Sequence, residues 1–247
     1  IMSKLLYLIR HGYALHNELT FIMIVIWGLC AYLGYKLTKT QHKQYLSYGI
    51  IAFALIQEVL DYVNRMFLDQ AYVMSFRADL PLQFCHFGFY FSLIGIFIAA
   101  KGKKINPKID QFLFDCAYVL GFGGALQAII TVDLTGVYNA IGIFTLNWQH
   151  SIIILNVLWL IFAYDKRFSS KGIFNAFLFI NIIILPIGLI NYILDANYMF
   201  ICNAPNVNNV LLRGEWPYYL IWLEFIYFIY IIVLWIPFKI ISIYEKP

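Results

Sequence analysis

Hydrophobic residues in this chain come in long unbroken runs, without the period-two alternation of a half-buried sheet. Seven runs are long enough to cross a bilayer: 19–35, 45–64, 80–100, 111–131, 147–164, 173–194 and 217–241. Lipid offers backbone N–H and C=O groups no partner, so each run must satisfy its own hydrogen bonds as an α-helix. The missing alternation argues against a transmembrane β-barrel. The predicted fold class is therefore all-α, a polytopic bundle of about seven spans. Residues 1–18 are too polar to span, with Lys4, Arg10, His11, His16 and Glu18 among them. They are expected to lie along the interface as a short amphipathic helix. No cleavable leader pattern is recognisable there. The remainder, 19–247, reads as one transmembrane domain, without repeat, linker or low-complexity tract.

Composition supports the pattern. Apolar and aromatic residues make up 62% of the 247 and charged residues only 12%, with a mean hydropathy of +0.76. Soluble domains carry about twice that share of charge. An ordinary soluble enzyme, a disordered chain and a nucleic-acid module are thereby excluded. The placement of charge sets the orientation. Lys36, Lys39, Lys43, Lys101, Lys103, Lys104, Lys108, Lys166, Arg167, Lys171, Lys239 and Lys246 fall on one side. Lys4, Arg10, Arg65, Arg77 and Arg213 fall on the other. Twelve against five predicts an outer N-terminus and a cytoplasmic C-terminus.

Polar residues at membrane depth are costly and mark sites. Glu58, Asp61, Asn64 and Arg65 share a helical face at the end of the second span. Cys85 and His86 open the third, Gln127 and Thr131 end the fourth, Asn147, Trp148, Gln149 and His150 open the fifth, and Asn191 ends the sixth. All lie toward the predicted outer side, while the cytoplasmic halves read as Ile, Leu, Phe and Ala. A polar cavity opening outward is expected.

Within it, Cys85 and His150 are the candidate catalytic pair, each about one turn inside its predicted span and so at matching depth. A thiol becomes a nucleophile when an imidazole takes its proton and a third group orients that imidazole. Asp61, Asn64 and Glu58 are the available orienting groups. Gln127, Asn191 and Trp148 are candidate donors to a developing oxyanion. Arg65, Arg77, Arg213 and Asn197 are candidate contacts for a lipid head group. The alternatives are structural. Cys85 can serve as a small apolar filler, Asp61 and Arg65 as a helix-packing ion pair, and the arginines as snorkelling anchors. His86 and His150 with Asp61 or Glu58 could on paper bind a metal, but outer-side histidines are too few for the usual three-histidine set, so no metal and no cofactor is expected. A Cys85–Cys202 disulfide would quench the thiol. Gly121, Gly123 and Gly124 read as close helix-packing positions, not a phosphate loop.

Several motifs occur together in order: Leu80-Pro-Leu-Gln-Phe-Cys85, the stretch from Gly121 to Gln127, Trp148-Gln-His150, Asn191-Tyr192, Asn197-Tyr-Met199, Ala204-Pro205 and Gly214-Glu-Trp-Pro-Tyr-Tyr219. They resemble the YwaF-like family of bacterial integral membrane proteins, which is similar to an animal transmembrane family described as an ether-phospholipid acyltransferase. A more distant likeness is to the androgen-induced family of membrane fatty-ester hydrolases, which use Thr and His on a similar frame. The sequence departs from the usual bacterial pattern at Gln83, where His is common, and Glu215, where Pro is common. The resemblance implies a multi-pass protein of a bacterial cell membrane, with Cys85 and His150 at an acyl-transfer site and a phospholipid or other acyl lipid as substrate. Hydrolysis at the same pair, and a lipid-binding or transport protein using Glu58 and Asp61, are the competing readings.

Overall fold

The computed structural model describes residues 2–102, 105–204 and 213–244, with side chains from His11 onward. The side chains of Lys4 and Arg10, and residues Lys103, Lys104, Pro205 and Lys246, lie outside that part. Among the described residues the chain is all helical: α1 Met2–Lys36, α2 Thr40–Val63, α3 Phe84–Lys101, α4 Pro107–Leu120, α5 Leu126–Ile130, α6 Ala140–Tyr164, α7 Ser170–Leu194 and α8 Tyr218–Tyr244. A wider π-turn extends α2 over Asn64–Leu68, and another joins α4 to α5 over Gly121–Ala125. These elements make seven helices long and apolar enough to cross a membrane.

Local sequence explains the boundaries. Asn139 and Ser169 cap α6 and α7 by accepting the backbone N–H of Gly142 and Gly172 at 2.7 and 2.9 Å. Pro107 begins α4 behind the cap Asn106. Gly102, at φ +60°, ends α3 in the left-handed region that glycine adopts without strain.

Three boundaries differ from the sequence reading. The first helix does not break at Glu18 but runs unbroken from Met2, and its span begins at His11. His16 is buried and held by Ile129 O at 3.0 Å and Asn147 at 3.2 Å, so this segment docks on the bundle. α6 starts seven residues earlier than predicted, because its first turns pack on α2 instead of ending at an interface. α3 starts later, at Phe84, since the preceding residues are held in a loop by Asp79 and Tyr198.

α6 is the central helix, with 67% of its most apolar stretch buried, against 6% for α8 at the edge. Its buried face carries Thr145, Asn147, Gln149, Ser151 and Asn156. The half of the bundle predicted to be cytoplasmic is also less greasy than expected. Ser47 accepts from Trp159 Nε1 at 2.8 Å, Asn156 donates to Ser92 at 3.0 Å, and a fully buried Asp115 accepts from Gln111, Ser169 N and Ser169 Oγ. These polar side chains bond within the bundle, and of their atoms Asn156 Oδ1 is buried without a partner.

Candidate functional site

α3 and α6 run in parallel and stay in register. His86 meets Gln149 at 3.4 Å, a Cβ on Gly88 would stand 3.5 Å from Ile153, Ser92 meets Asn156, and a Cβ on Gly95 would stand 3.3 Å from Leu160. One turn outward from Gly88 and Ile153 are Cys85 and His150. The two are therefore level, although His150 lies ten residues along α6, roughly 15 Å from its start, and not one turn inside as predicted.

Their faces also converge. Cys85, Gly88, Ser92 and Gly95 share one side of α3, as His150, Ile153 and Val157 share one side of α6. Both sides meet the glycine π-turn. A Cβ on Gly121 would stand 3.3 Å from Ile153 and Val157, and one on Gly124 would stand 3.5 Å from Cys85 Sγ. On the third side Tyr227 of α8 seats its hydroxyl so tightly that a Cβ on Gly123 would approach it to 2.7 Å. Single π-turns inside helices recur at functional sites, since they widen the backbone locally.

His150 has a defined tautomer. Its Nδ1 lies 2.7 Å from Leu146 O, and a carbonyl can only accept, so Nδ1 carries the proton and Nε2 keeps its lone pair. Among the described residues no hydrogen bond joins His150 to Cys85. The neighbouring imidazole is tied in differently: Gln149 Nε2 donates to Glu58 Oε2 at 3.0 Å and faces His86 Nε2, while His86 Nδ1 is buried without a partner.

The chain matches the TMEM164 family over residues 7–235. It belongs to that family. No curated protein and no solved structure matches it. Membership establishes a multi-pass transmembrane protein, in agreement with the seven spans.

Within this TMEM164-family fold the other predicted site residues fare unequally. Among the described residues none of the three orienting groups hydrogen-bonds His150, although Asp61 is near enough for its charge to act on that ring. Asp61 pairs with Arg65 at 2.8 Å and accepts from Thr145 Oγ1 at 2.7 Å, Asn64 accepts from Asn139 at 2.9 Å, and Glu58 serves Gln149. The backbone carbonyl of Leu146 does the orienting instead, a role that residue identity cannot reveal. Gln127 bonds within its own turn, to Thr131. Asn191 is buried far along α7, bonding Tyr198 N and O, and so organises a loop. Trp148 packs its ring on Phe53 and Phe144, with centroids 4.7 and 4.9 Å away, and leaves Nε1 buried and unpaired.

Of the four head-group candidates, two are engaged internally. Arg65 bridges Asp61 and Asp79 and lies over the Tyr72 ring. Asn197 holds the loop through Cys202 N and Asn203 N, each at 3.0 Å. Arg77 and Arg213 remain exposed, Arg77 in a surface pair with Asp195 and Arg213 over the Trp222 ring. All four cysteines are free, with Cys202 exposed in its loop and Cys85 inside the bundle, so no Cys85–Cys202 disulfide forms. Among the described residues no three His, Cys, Asp or Glu side chains gather as metal ligands.

Three contributors escaped the sequence reading. His16 was assigned to an interfacial segment. Tyr227 looked like one aromatic among many in the last span. Glu224, one turn from it, accepts from Asn181 at 3.0 Å beside a membrane-facing groove of Phe174, Phe177, Phe225 and Phe228. The last had a legible signal, as a carboxylate inside an otherwise apolar run.

Proposed function

We propose that this protein is a lipid acyltransferase of a bacterial cell membrane, acting at the outer leaflet through a Cys85/His150 acyl-enzyme. Cys85 Sγ attacks the carbonyl of a lipid acyl ester while its proton passes to His150 Nε2. The ester C–O bond breaks, the lyso-lipid alcohol leaves with that proton, and the acyl group stays on sulfur as a thioester. A lipid alcohol then attacks the thioester and the thiol is restored. The observation that supports this reading most is the level register of α3 and α6 over the glycine π-turn. It sets the thiol and an imidazole with a free Nε2 on converging faces. The lack of a direct bond between them is compatible with such chemistry, because catalytic hydrogen bonds are often long until substrate binds. The unpaired donors His86 Nδ1 and Trp148 Nε1 are further groups for the substrate's polar atoms.

The reading is tested by incubating purified protein with vesicles of a short-chain phospholipid and searching for acyl-Cys85 by mass spectrometry. Cys85→Ala must lose both the adduct and lipid turnover, and His150→Asn must slow adduct formation. Turnover surviving in Cys85→Ala overturns the scheme. Free fatty acid in place of a new lipid product moves the assignment to a hydrolase, with water resolving the thioester. The transport reading is less well supported, because Asp61 is held by Arg65 and Thr145 and is not available to a moving ion.

A further inference from the structure

On the opposite, lysine-rich side of the bundle, away from Cys85, a cavity of about 250 Å³ opens between the start of α7 and the end of α8. Its walls include Arg167, Ser170, Trp235, Phe238, Lys239 and Ser242. Two cations from different elements thus look into one space that no carboxylate lines. Near the cavity Lys166 pairs with Asp110, and Arg167 itself pairs with Asp165, which is largely exposed, and reaches the backbone oxygens of Ile161 and Lys166. Lys239 has no carboxylate partner among the described residues, and its ammonium rests over the Trp235 ring at 5.6 Å.

The remaining walls favour an anion with a greasy attachment. Ser170 is the first residue of α7, where the helix N-terminus favours negative charge. The hydroxyl of Ser170 can donate to an oxyanion, whereas that of Ser242 is given to Lys239 O at 2.8 Å. Phe238 and Trp235 provide an apolar floor at the level where an aromatic belt meets a bilayer surface. Basic pockets between transmembrane helices on this side are suited to phosphate head groups. Packing supplies a reason for one here. Among the described residues α8 buries only Tyr219, Ile231 and Phe238, so it is held to the bundle by few side chains. An anion bound by Arg167 and Lys239 together would tie the loop before α7 to the end of α8.

We propose that this cavity binds the phosphate of an anionic phospholipid in the leaflet opposite the candidate acyl-transfer site. The inference is independent of the chemistry proposed for Cys85. Its test is native mass spectrometry of the full-length protein, titrated with phosphatidylglycerol and with phosphatidylcholine of the same chains. Phosphatidylglycerol is retained preferentially, and Lys239→Gln weakens that retention about fivefold, the effect expected of one cation at a membrane surface. Lys239→Arg preserves it, and Lys108→Gln, at an exposed lysine that does not line the cavity, leaves it unchanged. Arg167→Gln is a second probe from the other wall. Inorganic phosphate gives the source: displacement of the lipid at millimolar concentration means that a free anion occupies the same site, and no displacement means the lipid head group. Equal retention of both lipids by the wild type, or retention of phosphatidylglycerol that neither Lys239→Gln nor Arg167→Gln reduces, overturns the proposal.

Discussion

Adjacent glycines in the π-turn make opposite predictions. Replacing either by alanine removes backbone freedom from the unfolded chain and favours the helix by up to about 1 kcal/mol. At Gly123 the new methyl would stand 2.7 Å from Tyr227 Oη, 2.8 Å from Cε2 and 3.1 Å from Cζ. The obstacle is a planar ring and not a flexible chain end. Tyr227 is stacked beside Tyr230 with centroids 6.3 Å apart, and Tyr230 is anchored to Phe122 O at 2.8 Å. The ring must be displaced, and overpacking of this kind costs about 1–3 kcal/mol. At Gly124 the nearest atom is Cys85 Sγ at 3.5 Å, an ordinary contact. Gly123→Ala should therefore be less stable than Gly124→Ala by about 1–3 kcal/mol, or roughly 2–4 °C in melting temperature for each kcal/mol in a chain of this length. Thermal unfolding of the two variants in one detergent reads the difference. The same pair separates packing from chemistry. Gly124→Ala keeps its stability but crowds the sulfur, so acyl-Cys85 formation should drop while the melting temperature does not. A Gly123→Ala protein melting at or above Gly124→Ala would refute the placement of Tyr227. Undiminished acylation in Gly124→Ala would mean that Cys85 is not approached from the glycine side.

Two further predictions concern the loop between α2 and α3. Asp79 accepts from Arg65 at 2.9 Å and Tyr72 at 2.5 Å on one oxygen, and from Ser75 N at 2.7 Å on the other. Asparagine cannot accept on both sides, so Asp79→Asn sets donor against donor and should cost about 1–3 kcal/mol, read as faster proteolysis within residues 69–83. Burial, and then the hydrogen bond to Asp79, push the Tyr72 hydroxyl up to about 12 from its ordinary value of 10.0. The folded state thus holds this proton more tightly than the unfolded chain does. Its contribution to loop stability is complete below about pH 10 and declines as pH climbs toward 12. Difference absorbance of tyrosinate between wild type and Tyr72→Phe should show this ionisation late, and loop proteolysis in Tyr72→Phe should lose that part of its alkaline dependence. A Tyr72 titration near pH 10 would contradict the burial of its hydroxyl against Asp79.

The spans, their number and the all-helical class were legible in the chain itself. A bilayer imposes its thickness and its lack of hydrogen-bond partners on any sequence, so run length and polarity suffice. Cys85 and His150 stood out for the same reason, as polar chemistry at membrane depth. Their neighbours did not. Asp61, Asn64 and Glu58 share a helical face with the right chemistry, yet each is engaged by Arg65, Asn139 or Gln149, because pairing between helices follows packing register and no spacing rule links separate spans. The orienting of His150 by Leu146 O, the burial of His16 and the seating of Tyr227 on Gly123 were likewise invisible, since they depend on backbone atoms and on which helix faces which. The one-dimensional pattern determined what crosses the membrane and which residue types are costly there. Only close packing of α3, α6, α8 and the glycine π-turn decided which of those residues meet.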